Sequence, residues 1–127
     1  MPAPYRLRIP SGKYREPDVL YLTAEQDAQS SEDFTQAAEL VMEVVSADDP
    51  DRDYISKRSD YASAGVPEYW IVDYHQRLIT VLELVNGQYV EQGKFGAGAR
   101  ATSVRLQGFG IAVDDLMSLG RDRSEQA

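Results

Sequence analysis

Apolar positions along this chain recur with two different periods, and the change of period separates strands from helix. Residues 40–45 are all apolar except Glu43, inside the run ELVMEVVS at 39–46. That length suits a strand covered on both sheet faces. Before it, residues 5–9 (YRLRI) alternate and 19–22 (VLYL) form a short β-prone run. The Ser-Gly turn of PSGKYREP lies between them, so 5–22 is expected to form an antiparallel hairpin. Residues 24–37 are polar and acidic and read as a loop with room for a helical turn.

From DDPDRDYISKRSDYASAGVP the spacing becomes helical. Tyr54, Arg58 and Tyr61 share one face, Asp51 or Asp53 can cap the start, and Gly65 with Pro67 is a stop signal. EYWIVD, LITVLELV and QYVEQGKF then read as consecutive strands, the last two joined by Asn86-Gly87, a strong hairpin signal. An edge strand at 102–106 and a short closing helix at 113–119 complete the pattern. The expectation is one domain over 1–119 with a flexible tail at 120–127, built as a mixed α/β (α+β) sheet with few helices. Helix 51–64 covers one face of strand 39–46. No element evidently covers the other, so a missing N-terminal element or a homodimer partner is expected there.

Composition narrows the class. A chain of 127 residues, 43% hydrophobic and 27% charged, has room for one ordinary globular core. It has no cysteine, which excludes disulfides and thiolate metal sites. No apolar run is long enough to span a bilayer and MPAPYRLRIP lacks a signal-peptide core, so no membrane association and a cytoplasmic location are expected. The net charge of −8 argues mildly against strong non-specific nucleic-acid binding. It leaves room for a nuclease, because a bound divalent cation supplies positive charge the formal count omits.

The carboxylate in the apolar run carries the chemistry. In a strand, Glu43 shares its face with Val41 and Val45, and burying an unpaired carboxylate costs several kcal/mol, roughly a large share of a small domain's stability. A cation, a metal or protonation must offset that cost, unless Glu43 lies at an exposed strand end or pairs with arginine. Asp18 heads VLYL after Pro17, which favours a strand start or edge. It is either a turn residue or a second carboxylate converging on Glu43, and such a pair of hard oxygen ligands suits Mg²⁺ or Mn²⁺. Lys57, on the helix after the strand, either reaches Glu43 or forms a surface pair with Asp53. Asp73 ends EYWIVD and can orient a site or start a turn. His75 reads as solvated, Trp70 as core and Tyr69 as rim. GKFGAGAR lacks the strand-to-helix context of a phosphate loop, and with one histidine and no cysteine no nucleophilic triad is available.

PDVLYL, AELVMEVVS, the DxxxK spacing within DRDYISKRSDYASAG, and VPEYWIVD follow one another in an order that resembles the Uma-type restriction endonuclease family of bacteria, with the PD-(D/E)XK nuclease-like fold. The resemblance covers roughly residues 5–118 and is most specific from Lys57 through EYWIVD. It implies a restriction-endonuclease-like mixed sheet flanked by helices, with Asp18, Glu43 and the Val44 carbonyl as ligands of Mg²⁺ or Mn²⁺. It also implies metal-dependent hydrolysis of a DNA phosphodiester. Val45 stands where the motif places its lysine, two residues after the glutamate. Lys57 matches a lysine the family carries on the following helix, and Asp53 and Asp73 are candidates to support the site. The resemblance also implies a helix and a strand ahead of the hairpin, so a natural short form, a fragment or a protein that restores that wall of the site by dimerising is expected. The competing expectation is a degenerate, non-catalytic member acting as a binding or assembly module.

Overall fold

The computed structural model describes residues 5–45 and 50–118, with side chains described in the second stretch from residue 55 onward. Its central sheet has the order β3-β5-β6-β7-β8, formed by Val19–Tyr21, Leu40–Val44, Glu68–Asp73, Leu78–Val85 and Gln88–Phe95. β5 and β6 are parallel and the other neighbours antiparallel. The parallel pair requires a crossover, which α2 (Pro50–Ser63) provides. Gly65, at φ +72°, stops that helix, with Val66 N–H donating to Tyr61 C=O and Gly65 N–H to Ala62 C=O, a Schellman closure. At the other hairpin signal, Asn86 and Gly87 take φ +53° and +81° between the paired residues Val85 and Gln88, the left-handed pair a two-residue turn requires.

The expected 5–22 hairpin is corrected. β1 (Arg6–Arg8) pairs antiparallel with β2 (Tyr14–Arg15), not with 19–22. The turn closes earlier because Gly12 adopts φ +103° and its N–H donates to Ile9 C=O. Pro17 then interrupts the ladder, and β3 leaves to pair with β5. The polar segment 24–37 holds more structure than expected. Thr23 and Gln26 form a reciprocal capping box for α1 (Ala24–Ala28), and β4 (Phe34–Thr35) runs parallel to β1.

The core lies on both faces of the central sheet. On one, Val41, Tyr69, Ile71 and Leu82 pack with Tyr61 and Val66 from the α2 crossover and with Leu7 and Ile9 from the β1 segment. Tyr69 is therefore core and not rim, at 2% exposure. On the other face, Leu40, Met42, Trp70, Val72, Ile79 and Val81 are covered by Ala101, Val113 and Met117. The expectation of an uncovered face is thus corrected: a hairpin of β9 (Arg100–Thr102) and β10 (Gly110–Ala112) and helix α3, residues 113–118, close it. The dimer expectation loses the basis on which it was made. The strand expected at 102–106 is likewise shifted to Arg100–Thr102, because residues 103–106 turn around a buried carboxylate. Among the described residues no helix is long and apolar enough to cross a membrane. The expected tail at 120–127 lies outside the described residues.

That carboxylate is Glu68, fully buried. Its oxygens accept from Trp70 Nε1 at 2.6 Å, Ser103 Oγ at 2.8 Å, Arg105 N at 2.9 Å and Val104 N at 3.2 Å. Donors alone surround it, so the loop that starts the second cover is tied to the first residue of β6. Glu68→Gln would set an NH₂ group against these donors. We expect a loss of about 2–3 kcal/mol, measured as a lower urea midpoint with an unchanged m-value.

Candidate active site

The register of β3 on β5 (Val19 opposite Met42, Leu20 opposite Val41) places Asp18 opposite Glu43, one step beyond the last pair. Like charges directly across a ladder repel. Here each residue binds the other's strand. Glu43 Oε1 accepts from Asp18 N at 3.1 Å, and Asp18 Oδ2 accepts from Val44 N at 2.7 Å. The two carboxylates are thereby held side by side at the edge of the sheet, Asp18 exposed and Glu43 buried at 4% exposure.

Helix α2 completes the surroundings of Glu43. Lys57 and Tyr61 are four residues apart and so share a helix face. Lys57 Nζ lies 2.9 Å from Glu43 Oε2, and Tyr61 Oη donates to the same oxygen at 3.0 Å. Of the two alternatives for Lys57, the structure has it reaching Glu43; the Asp53 side chain lies outside the described residues. Burial raises the Glu43 pKa above its ordinary 4.5, and the Asp18 charge adds to the rise. The hydrogen bond and charge of Lys57, then the Tyr61 hydroxyl, oppose it. Burial and then the Glu43 charge push the Tyr61 phenol far up, so it stays a neutral donor.

The helix face is itself held from outside. Arg15, on β2, donates from Nε to Asp60 Oδ2 and from Nη2 to Ser56 Oγ, both at 2.7 Å. Lys13 Nζ adds a 2.9 Å contact to the same Asp60 oxygen. Ser56 and Asp60 alternate in sequence with Lys57 and Tyr61, so one helix segment holds the hairpin on one side and Glu43 on the other. Sequence reading does not single out Tyr61, Arg15, Ser56 or Asp60. The i, i+4 relation of Tyr61 to Lys57 was the one available signal.

Asp73 lies on the same sheet face as Ile71, Glu43's partner in register. Its Oδ1, however, accepts from His75 N at 2.9 Å and Gln76 N at 3.0 Å and starts the turn to β7. His75 is exposed in that turn. Among the described residues no group of three or more His, Cys, Asp or Glu side chains gathers. A cation here would draw on Asp18, Glu43, the Val44 carbonyl and water. That hard-oxygen set is compatible with Mg²⁺, which keeps several waters when bound. One carboxylate, moreover, is exposed enough to admit it.

The raised Glu43 pKa fixes the sign of a pH effect. Between 4.5 and the higher folded value the native state holds more protons than the unfolded chain, so stability rises as pH falls through that window and is lost as pH rises. Glu43→Gln should remove this component, read as a flatter stability–pH profile in chemical denaturation. Lys57→Met leaves the buried carboxylate without its cation. It should cost about 3 kcal/mol at pH 7 and less at pH 5, and the Lys57→Met/Glu43→Gln pair should recover most of the loss.

A family profile described as "Uma2: Putative restriction endonuclease" matches residues 2–114. The fold is similar to a crystal structure from Anabaena variabilis ATCC 29413, described as "a putative nuclease belonging to DUF820", with a TM-score of 0.69 and 16% identity. The match covers 89% of this chain, which spans 64% of the length of that one. No curated protein matches. Low identity makes the structural likeness one of fold, while the profile spans nearly the whole sequence. The chain belongs to the Uma2 family, described as "Putative restriction endonuclease", and has the mixed α/β fold of that crystal structure.

Proposed function

We propose that this domain is a divalent-metal-dependent endonuclease that hydrolyses DNA phosphodiester bonds. The observation that carries the reading is the reciprocal clasp of Asp18 and Glu43, with Lys57 on the buried member. Asp18, Glu43 and the Val44 carbonyl would hold Mg²⁺ or Mn²⁺. When bound, such an ion polarises a phosphoryl oxygen and lowers the pKa of a coordinated water. The chain's own residues do the rest. Tyr61 fixes the Glu43 carboxylate in one rotamer, since its hydroxyl stays protonated and can only donate to the anion. Lys57 lies at the partly open side, with 19% of its side chain exposed. There its ammonium orients an attacking water or meets the charge that develops on the phosphate. Asp18, at the surface, faces incoming substrate.

One observation favours a second reading, a non-catalytic binding module. Lys57, Tyr61 and the Asp18 N–H already meet the Glu43 carboxylate, so the domain tolerates that charge without a metal. Val45 also occupies the position of the motif lysine.

The two readings separate in one experiment. For the nuclease, Mg²⁺ or Mn²⁺ raises the melting temperature of wild type but not of Glu43→Gln. Supercoiled plasmid is then nicked by wild type and at least about 100-fold more slowly by Asp18→Asn or Lys57→Met, given the contribution of single electrostatic groups to catalysis. For the module, metal leaves the melting temperature unchanged and plasmid stays intact with every variant.

A further inference from the structure

The small sheet β2-β1-β4 has two unlike faces. Leu7, fully buried, and its register partner Arg15 face inward to the core and α2. The outward face carries Arg6, Arg8 and Tyr14, in register across β1 and β2, with Phe34 opposite Arg6 on β4. The Arg6 guanidinium lies 4.5 Å from the centroid of the Tyr14 ring. The Tyr14 ring meets Phe34 edge-on at 5.6 Å and 78°. Tyr14 is 39% exposed and Arg8 is exposed.

Three features of the β1–β2 segment are unusual for an acidic protein. Arg6, Lys13 and Arg15 accompany Arg8 in residues 6–15, a stretch without Asp or Glu in a chain of net charge −8. Lys13 and Arg15 are paired with Asp60, whereas among the described residues neither Arg6 nor Arg8 has a carboxylate partner. Arg6 Nε is, besides, buried with no hydrogen-bond partner. Stacking on Tyr14, not an ion pair, therefore fixes the Arg6 head and leaves its charge uncompensated. Two arginines beside one exposed aromatic ring, Tyr14, backed by the half-buried Phe34, match a strand with alternating phosphates and bases.

We propose that this face is a docking surface for a single-stranded nucleic acid segment, with a base stacked on Tyr14 and phosphates at Arg6 and Arg8. The proposal rests on the nuclease reading and adds to it a place for substrate outside the reacting centre. Arg15 ties the surface to Ser56 and Asp60, on the helix segment that also carries Lys57, so a strand docked there is registered to the site by a rigid connection.

Fluorescence anisotropy with a labelled deoxythymidine oligomer tests it in EDTA, where binding is read apart from hydrolysis. Wild type should bind the oligomer more tightly than its duplex and lose affinity as salt rises. Arg8→Ala and Tyr14→Ala should each weaken binding about tenfold, while Tyr14→Phe, which keeps the ring, restores it. Among the described residues the exposed Arg8 side chain forms no ion pair that its loss would break, and thermal melts of each variant confirm folding. Binding that is absent, equal for duplex, unaffected by both alanine variants or displaced equally by polyaspartate overturns the proposal. Parallel plasmid assays with Mg²⁺ keep the two ideas distinct. Binding without nicking leaves the surface standing and removes the nuclease, and nicking with variant-insensitive binding does the reverse.

Discussion

A charged carboxylate inside an apolar strand dictates how α2 and β3 are set against the central sheet. Glu43 lies on the same sheet face as Val41, Tyr69 and Ile71, where a bare anion is costly. The fold meets it with an ammonium, a phenol and a backbone N–H, from Lys57, Tyr61 and Asp18. Two of these come from one helix and the third from the neighbouring strand, so satisfying one side chain fixes both α2 and the start of β3. Asp18 returns the interaction by binding the N–H of Val44, which locks the strand edge where the two carboxylates meet.

The same economy appears on the opposite face. Glu68 is as deeply buried as any residue in the core, yet its four donors make it a structural anchor for the loop leading to β10 and α3. Glu39 and Arg105 add a contact at 3.2 Å beside it. The two buried glutamates differ in what surrounds them. Glu68 is enclosed by neutral donors, whereas Glu43 has a cation, a second carboxylate and an opening to solvent at Asp18. That asymmetry makes the Glu43 end of the sheet the place to look for chemistry.

Much of this was legible from residues. A glutamate amid valines announces a burial problem, Asn86-Gly87 announces a turn, and Gly65 before Pro67 announces a helix end, each through local stereochemistry. The two-residue strands β2 and β4 were not legible, because such short segments become strands only when a partner is near. The cover on the second face escaped for a similar reason: Ala101, Val113 and Met117 are too sparse to mark a face until β9, β10 and α3 are folded back. Tyr61 reads as an ordinary helix aromatic, and Glu68 as an ordinary charged residue before a strand. Their roles depend on what other segments bring to them. Asp73 shows the converse, a plausible site residue whose carboxylate is engaged in a turn.

On the nuclease reading, the Asp18–Glu43 clasp is a cation site and not solely a means of closing a strand edge. Anomalous diffraction from crystals equilibrated with Mn²⁺ would locate such an ion. A peak ligated by both carboxylates, with Lys57 retained nearby, is expected. Density in which Mn²⁺ is absent from that position at saturating concentration, with Glu43 still engaged by Lys57 and Tyr61 alone, would contradict it.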